Sequence, residues 1–160
     1  MPSVNKPIDL EVPVSVAYNQ WTQFESFPQF MEGVKSIEQI DDQTLRWHAE
    51  FAGRSETWEA KITEQTPDSR IAWTSTSGRK NAGVVTFHHL TVNKSRVMLQ
   101  MDYETDDVVE NIGEMLEVVE RRIEGDMERF KEFVEGRGSA TGAWRGKSPE
   151  TANRRRTSVT

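Results

Sequence analysis

The strongest constraint on the fold lies near the C-terminal end. Ile112, Leu116, Val119, Ile123, Met127, Phe130 and Val134 recur every three or four residues, which is the spacing of one face of an α-helix. Glu110, Glu114, Glu117, Glu124 and Glu128 fall between them and form a solvated face. The pattern predicts one long helix from about Val108 to Glu135. A single apolar stripe of that length cannot bury itself, so the preceding residues must supply a surface to cover it.

Those residues change period. Ile8, Leu10 and Val12 alternate with Asp9 and Glu11, as in a half-buried strand. After Pro13, the residues Val14, Ala17, Tyr18, Trp21 and Phe24 return to helical spacing, and Phe27-Pro28 breaks the run, so two short helices are expected. Alternation then resumes over Val34–Ile40. It continues through Leu45, Trp47, Ala49 and Phe51, then Trp58, Ala60 and Ile62, then Ile71, Trp73 and Ser75. Val85 and Phe87 follow, and Val97, Leu99, Met101 and Tyr103 complete the set. Asp41-Asp42, Ala52-Gly53, Pro67-Asp68 and Asn93-Lys94 supply short turns, and short turns between neighbours imply antiparallel pairing.

The expected fold class is α+β: a curved, seven-stranded antiparallel sheet around a long C-terminal helix, with two short helices after the first strand. One helix does not fill a sheet of that width, and a hollow is expected between them. A length of 160 residues fits one domain, assigned to residues 1–136. Residues 137–160 are rich in Gly, Ser, Thr and Arg without apolar period and read as a basic, disordered tail.

Composition excludes several functions. Without cysteine there is no disulfide, thiolate nucleophile or zinc–thiolate site. The first nine residues have no apolar core of a signal peptide, and no run of about 18 apolar residues exists to span a membrane; a cytoplasmic protein is expected. Net charge is −6 although the tail carries Arg137, Arg145, Lys147, Arg154, Arg155 and Arg156 against Glu150 alone. The remaining body is therefore strongly acidic and repels phosphate backbones, which argues against nucleic acid as a partner. No His-x-x-x-His or Cys/His spacing supports a metal, and no cofactor is expected. Thr141 to Ser148, T-G-A-W-R-G-K-S, ends like a phosphate-binding loop but lacks its first glycine and a preceding strand.

The run P-V-S-V-A-Y-N-Q-W-T-Q-F-E-S-F-P-Q-F-M-E-G-V (Pro13 to Val34) resembles the polyketide cyclase/dehydrase branch, including the coenzyme Q-binding proteins, of the START-like, helix-grip superfamily. A-G-R (Ala52 to Arg54), R-I-A-W (Arg70 to Trp73) and T-G-A-W-R-G (Thr141 to Gly146) resemble the same bacterial proteins. The resemblance implies a helix-grip fold with a cavity for lipids, isoprenoid quinones or polyketides. Its members include both carriers and cyclases, so it leaves the reaction open.

Five tryptophans and seven phenylalanines dominate the expected inward faces. The residues expected to line a ligand site are Trp21, Phe30, Trp47, Phe51, Trp58, Trp73, Phe87, Met101, Tyr103, Met115, Leu116 and Val119; for each, ordinary core packing is the competing reading. Arg54 and Glu56 share the phase of Trp58 and, with Tyr103, are the weak candidates for acid–base chemistry. His48 and His88 are placed on solvent faces, and a bulge would do the same for His89. The leading expectation is a binder or carrier of a small hydrophobic molecule. The alternatives are a cofactor-independent polyketide cyclase or aromatase and a protein-interaction module; oligomeric state is left open.

Overall fold

The computed structural model describes residues 3–51, 54–78, 80–103 and 112–144. Seven strands form one antiparallel sheet in the order β1-β7-β6-β5-β4-β3-β2. They are β1 (Ser3–Leu10), β2 (Val34–Gln39), β3 (Thr44–Phe51), β4 (Arg54–Thr66), β5 (Arg70–Ser75), β6 (Asn81–Thr91) and β7 (Lys94–Tyr103). Because β1 and β2 lie on opposite edges, the chain between them must cross the open side of the curved sheet. It does so as α1 (Val14–Trp21) followed by a 3₁₀ helix (Phe24–Gln29). The long helix α2 (Ile112–Arg137) returns along β1 and packs on α1.

Burial follows the alternation. On β7, Val97 and Leu99 are buried while Arg96, Met98 and Gln100 are exposed. Ile123, Met127, Phe130 and Val134 of α2 are buried at helical spacing, the stripe that the sequence predicts. The two short helices meet that stripe with rings. Trp21 lies edge-on to Phe130 at 5.0 Å between centroids, Phe30 to Phe130 at 5.2 Å, and Tyr18 to Phe87 of β6 at 5.5 Å. Edge-on rings at such distances add attraction beyond the area that they bury.

Two expectations are corrected. The first strand begins at Ser3 rather than at Ile8 and ends at Leu10, with Val12 buried beyond it. Pro7 does not stop it because β1 is an edge strand, where a missing N–H need not break the ladder. The tail boundary also moves. Gly138 takes a left-handed φ of 71° and donates its N–H to the Val134 carbonyl, which ends α2 and turns the chain back.

Residues beyond that turn then dock on α1. The Gln20 side chain donates to Thr141 Oγ1 at 3.1 Å and accepts from the Thr141 N–H at 2.8 Å. The Tyr18 hydroxyl donates to the Trp144 carbonyl at 2.8 Å. Gln20 and Tyr18 are both fully buried, so this strap satisfies polar groups that would otherwise be costly. The T-G-A-W sequence thus serves packing, and the folded unit reaches at least Trp144. A chain ending at Arg137 is expected to be about 2 kcal/mol less stable than one ending at Trp144, since several partly buried hydrogen bonds are lost. Urea midpoints of the two truncated chains check this.

Candidate functional site

Antiparallel register brings residues of six strands onto one concave face. Met101 lies opposite Gly83, Gly83 opposite Trp73, and Trp73 opposite Ile62. Further along, Trp58 lies opposite Trp47, and Trp47 opposite Ile37. The Trp47 and Trp58 rings stack 6° from parallel with centroids 5.7 Å apart. The Trp73 ring occupies the space over Gly83, where an added Cβ would sit 2.3 Å from it. Glycine in mid-strand marks this close approach. The signal was present in the alternation, which is interrupted at residue 83.

Along β7, β3, β4 and α2, burial falls in one direction. It runs from 0 % exposure at Val97 through 7 % at Leu99 to half-buried Met101, and from 1 % at Leu45 through 9 % at Trp47 to half-buried Ala49. On β4 it runs from buried Ala60 to half-buried Trp58 and Glu56. On α2 the step is from fully buried Phe130 to half-buried Val119. Lys6 of β1 pairs with Glu120 and Glu124 of α2 at 3.0 Å each, which places the Val119 end of the helix beside the Met101 end of the sheet. On these four elements the half-buried apolar groups therefore lie toward one end, whereas β1 runs the other way, from Val4 at 4 % beside Met101 to half-buried Ile8 beside Val97.

Trp21 and Phe30, two of the expected lining residues, sit instead in the closed end, each about 2 % exposed or less and walled by other rings. Phe87 belongs to that end too, against Tyr18 and Trp21. Trp47, Trp58, Trp73, Met101 and Val119 lie toward the less buried end. The side chains of Phe51, Arg54, Tyr103, Met115 and Leu116 lie outside the described residues. Glu56 is half-buried in the phase of Trp58 and opposite Ala49. His48, His88 and His89 are exposed, His89 beside a register shift in β6. No cluster of metal-ligating side chains occurs among the described residues, and no described helix is long and apolar enough to cross a membrane.

Alternation and spacing did not reveal a polar latch between α2 and the loop after the 3₁₀ helix. Arg129 donates to the Phe30 carbonyl at 2.8 Å and to Asp126, Arg122 donates to the Glu32 carbonyl at 3.1 Å, and Asp126 accepts from the Glu32 N–H at 3.0 Å. Burial lifts the Asp126 carboxyl to about 6, against the pull of Arg129, the Glu32 N–H and Arg122.

With this geometry in view, three comparisons place the chain. Residues 10–132 match the family model described as polyketide cyclase / dehydrase and lipid transport. The chain belongs to that family. It is 52% identical over 147 residues to an uncharacterized 17.2 kDa protein of Streptomyces lincolnensis encoded in the melC2-rnhH intergenic region, covering 91% of this chain and 98% of that protein. Among solved structures it resembles the Zhui aromatase/cyclase of Streptomyces sp. R1128, with TM-score 0.73 at 18% identity over 89% of this chain and 99% of that one. It also resembles a START superfamily protein of Mycobacterium smegmatis, with TM-score 0.68 at 16% identity over 84% of this chain and 95% of that one. At such identities the structural likeness establishes the helix-grip fold alone.

The latch carries a pH prediction. A carboxyl whose folded-state pKa lies above its unfolded value binds its proton more tightly when folded. Its stabilisation is complete at low pH and is lost as pH rises through about 6. From about pH 5 to about pH 7.5 this group should cost the protein about 1.4 kcal/mol. Asp126→Asn keeps an acceptor for the Glu32 N–H and should remove most of that pH dependence, as read from urea midpoints at both values.

Proposed function

We propose that this domain is a cytoplasmic binder or carrier of a small hydrophobic molecule, of the lipid, isoprenoid quinone or polyketide-like class. The molecule lies between the less buried end of the concave face and α2. One observation carries the reading: the fall in burial toward Trp58, Met101 and Val119 leaves apolar surface on an inward face. Apolar walls with few polar anchors are what a small hydrophobic ligand needs, and burying a ligand against them supplies the affinity. The family description, which joins cyclases with lipid transport, supports the same reading.

Protein purified from its native host and extracted with organic solvent is expected to release a lipophilic compound. Lipophiles added to ligand-stripped protein should quench the tryptophans that flank the site. An empty extract, together with unchanged fluorescence across a lipid, quinone and polycyclic panel, rejects the proposal.

A second reading, a cyclase or aromatase acting on a poly-β-ketone, is favoured by half-buried Glu56 beside Trp58 and by the aromatase/cyclases among the similar structures. A shaped face that folds the chain and one acid–base group would suffice for ring closure. On this reading Glu56→Gln lowers cyclisation about 100-fold with ligand binding retained. Equal turnover in this variant and in single replacements of Arg54 and Tyr103 rejects the enzyme.

A further inference from the structure

Two neighbouring hydrogen-bond donors on the concave face are unserved by the described residues. Trp47 and Trp58 are directly opposite residues of β3 and β4, and neither indole Nε1–H finds an acceptor among the described residues although both nitrogens are buried. An indole N–H only donates, and it lies in the plane of its own ring. Two rings 6° from parallel therefore point neither N–H at the face of the other. The Trp21 N–H is also without an acceptor among the described residues, but the Phe27, Phe87 and Phe130 rings stand around Trp21 at steep angles, and a ring face can serve as a weak acceptor; Trp47 has one such ring, Phe27 at 67°, and no described ring stands so against Trp58.

Where only apolar bulk is needed nearby, the chain uses Phe24, Phe27, Phe30 and Phe87. At β3 and β4 it uses donors instead, and flanks them with the small side chains of Ala49 and Ala60. Trp58, the half-buried member, belongs to the end of the face where burial falls. An unserved buried donor is a cost to folding that a ligand atom can remove.

The geometry points to Trp47 and Trp58 as specificity-determining residues that select a planar ring compound bearing a carbonyl or phenolic oxygen over a hydrocarbon of the same shape. The oxygen accepts an indole N–H, so the flat compound meets the edge of that ring rather than its face. This inference rests on the binding role proposed above, and the test separates the two.

Fluorene and 9-fluorenone share one three-ring frame and differ by a carbonyl oxygen. Equilibrium dialysis against the full chain should show 9-fluorenone bound about tenfold more tightly, the effect of one or two neutral hydrogen bonds. Trp47→Phe and Trp58→Phe keep a ring and remove the donor. Each should weaken 9-fluorenone about fivefold more than it weakens fluorene, with thermal melts verifying the fold. Equal binding of the two compounds by the unaltered chain overturns donor selection and leaves the binding role standing. A preference that survives both substitutions overturns the assignment to these tryptophans. If neither compound binds and the wider lipophile panel also fails, the binding role falls and the inference with it. Should a variant fail to fold, the comparison of the two compounds on the unaltered chain decides.

Discussion

Phe130 meets Trp21 at 5.0 Å and Phe30 at 5.2 Å, and this seam of rings joins the three parts of the domain. Phe130 belongs to α2, and Trp21 and Phe30 to the crossing between the two edge strands. Trp21 in turn touches Phe87 of β6, and Phe27 touches Trp47 of β3. Without the seam, the apolar stripe of α2 would face the sheet across a gap too wide for aliphatic side chains. Large, stiff rings span that gap at low entropic cost, since each has few rotatable bonds.

Closing one end tightly has a consequence at the other. The rings that fill the space around Phe130 have no counterpart beside Val119, which stays half-buried. Burial accordingly fades along β3, β4, β7 and α2 in the same sense. Polar devices hold the closed end. The Arg122, Asp126 and Arg129 latch fixes the loop at residues 30–32, and the strap at Thr141 to Trp144 covers the buried polar groups of α1. Both make hydrogen bonds to backbone atoms, which set where a segment lies rather than how much apolar area it buries.

Much of this was legible beforehand because period reports facing. Trp47, Trp73, Leu99 and Phe130 face inward as their spacing requires, and the histidines fall outward. The family was legible too, through Pro13 to Val34, which lies within the matched residues 10–132. What was missed had a physical cause in each case. The alternation was read only from Ile8, yet the strand starts at Ser3 and runs through Pro7, which an edge strand tolerates. Thr141 to Trp144 looked like tail because its contacts are hydrogen bonds to α1, which leave no hydrophobic period. Trp21 and Phe30 carried the same apolar signal as Trp58, since spacing cannot distinguish a ring walled by rings from one beside open space.

The sequence alone determined the periods of seven strands and one long helix, hence which side of each element is apolar and the class of fold that can bury it. Those are local properties, written by the alternation of side chains along a backbone of known pitch. Only tertiary structure decided which inward residues remain half-buried and which indole donors lack an acceptor. It also decided where the chain beyond α2 docks. Each of these depends on distances between elements far apart in the chain, set by register, sheet curvature and the size of the rings between sheet and helix.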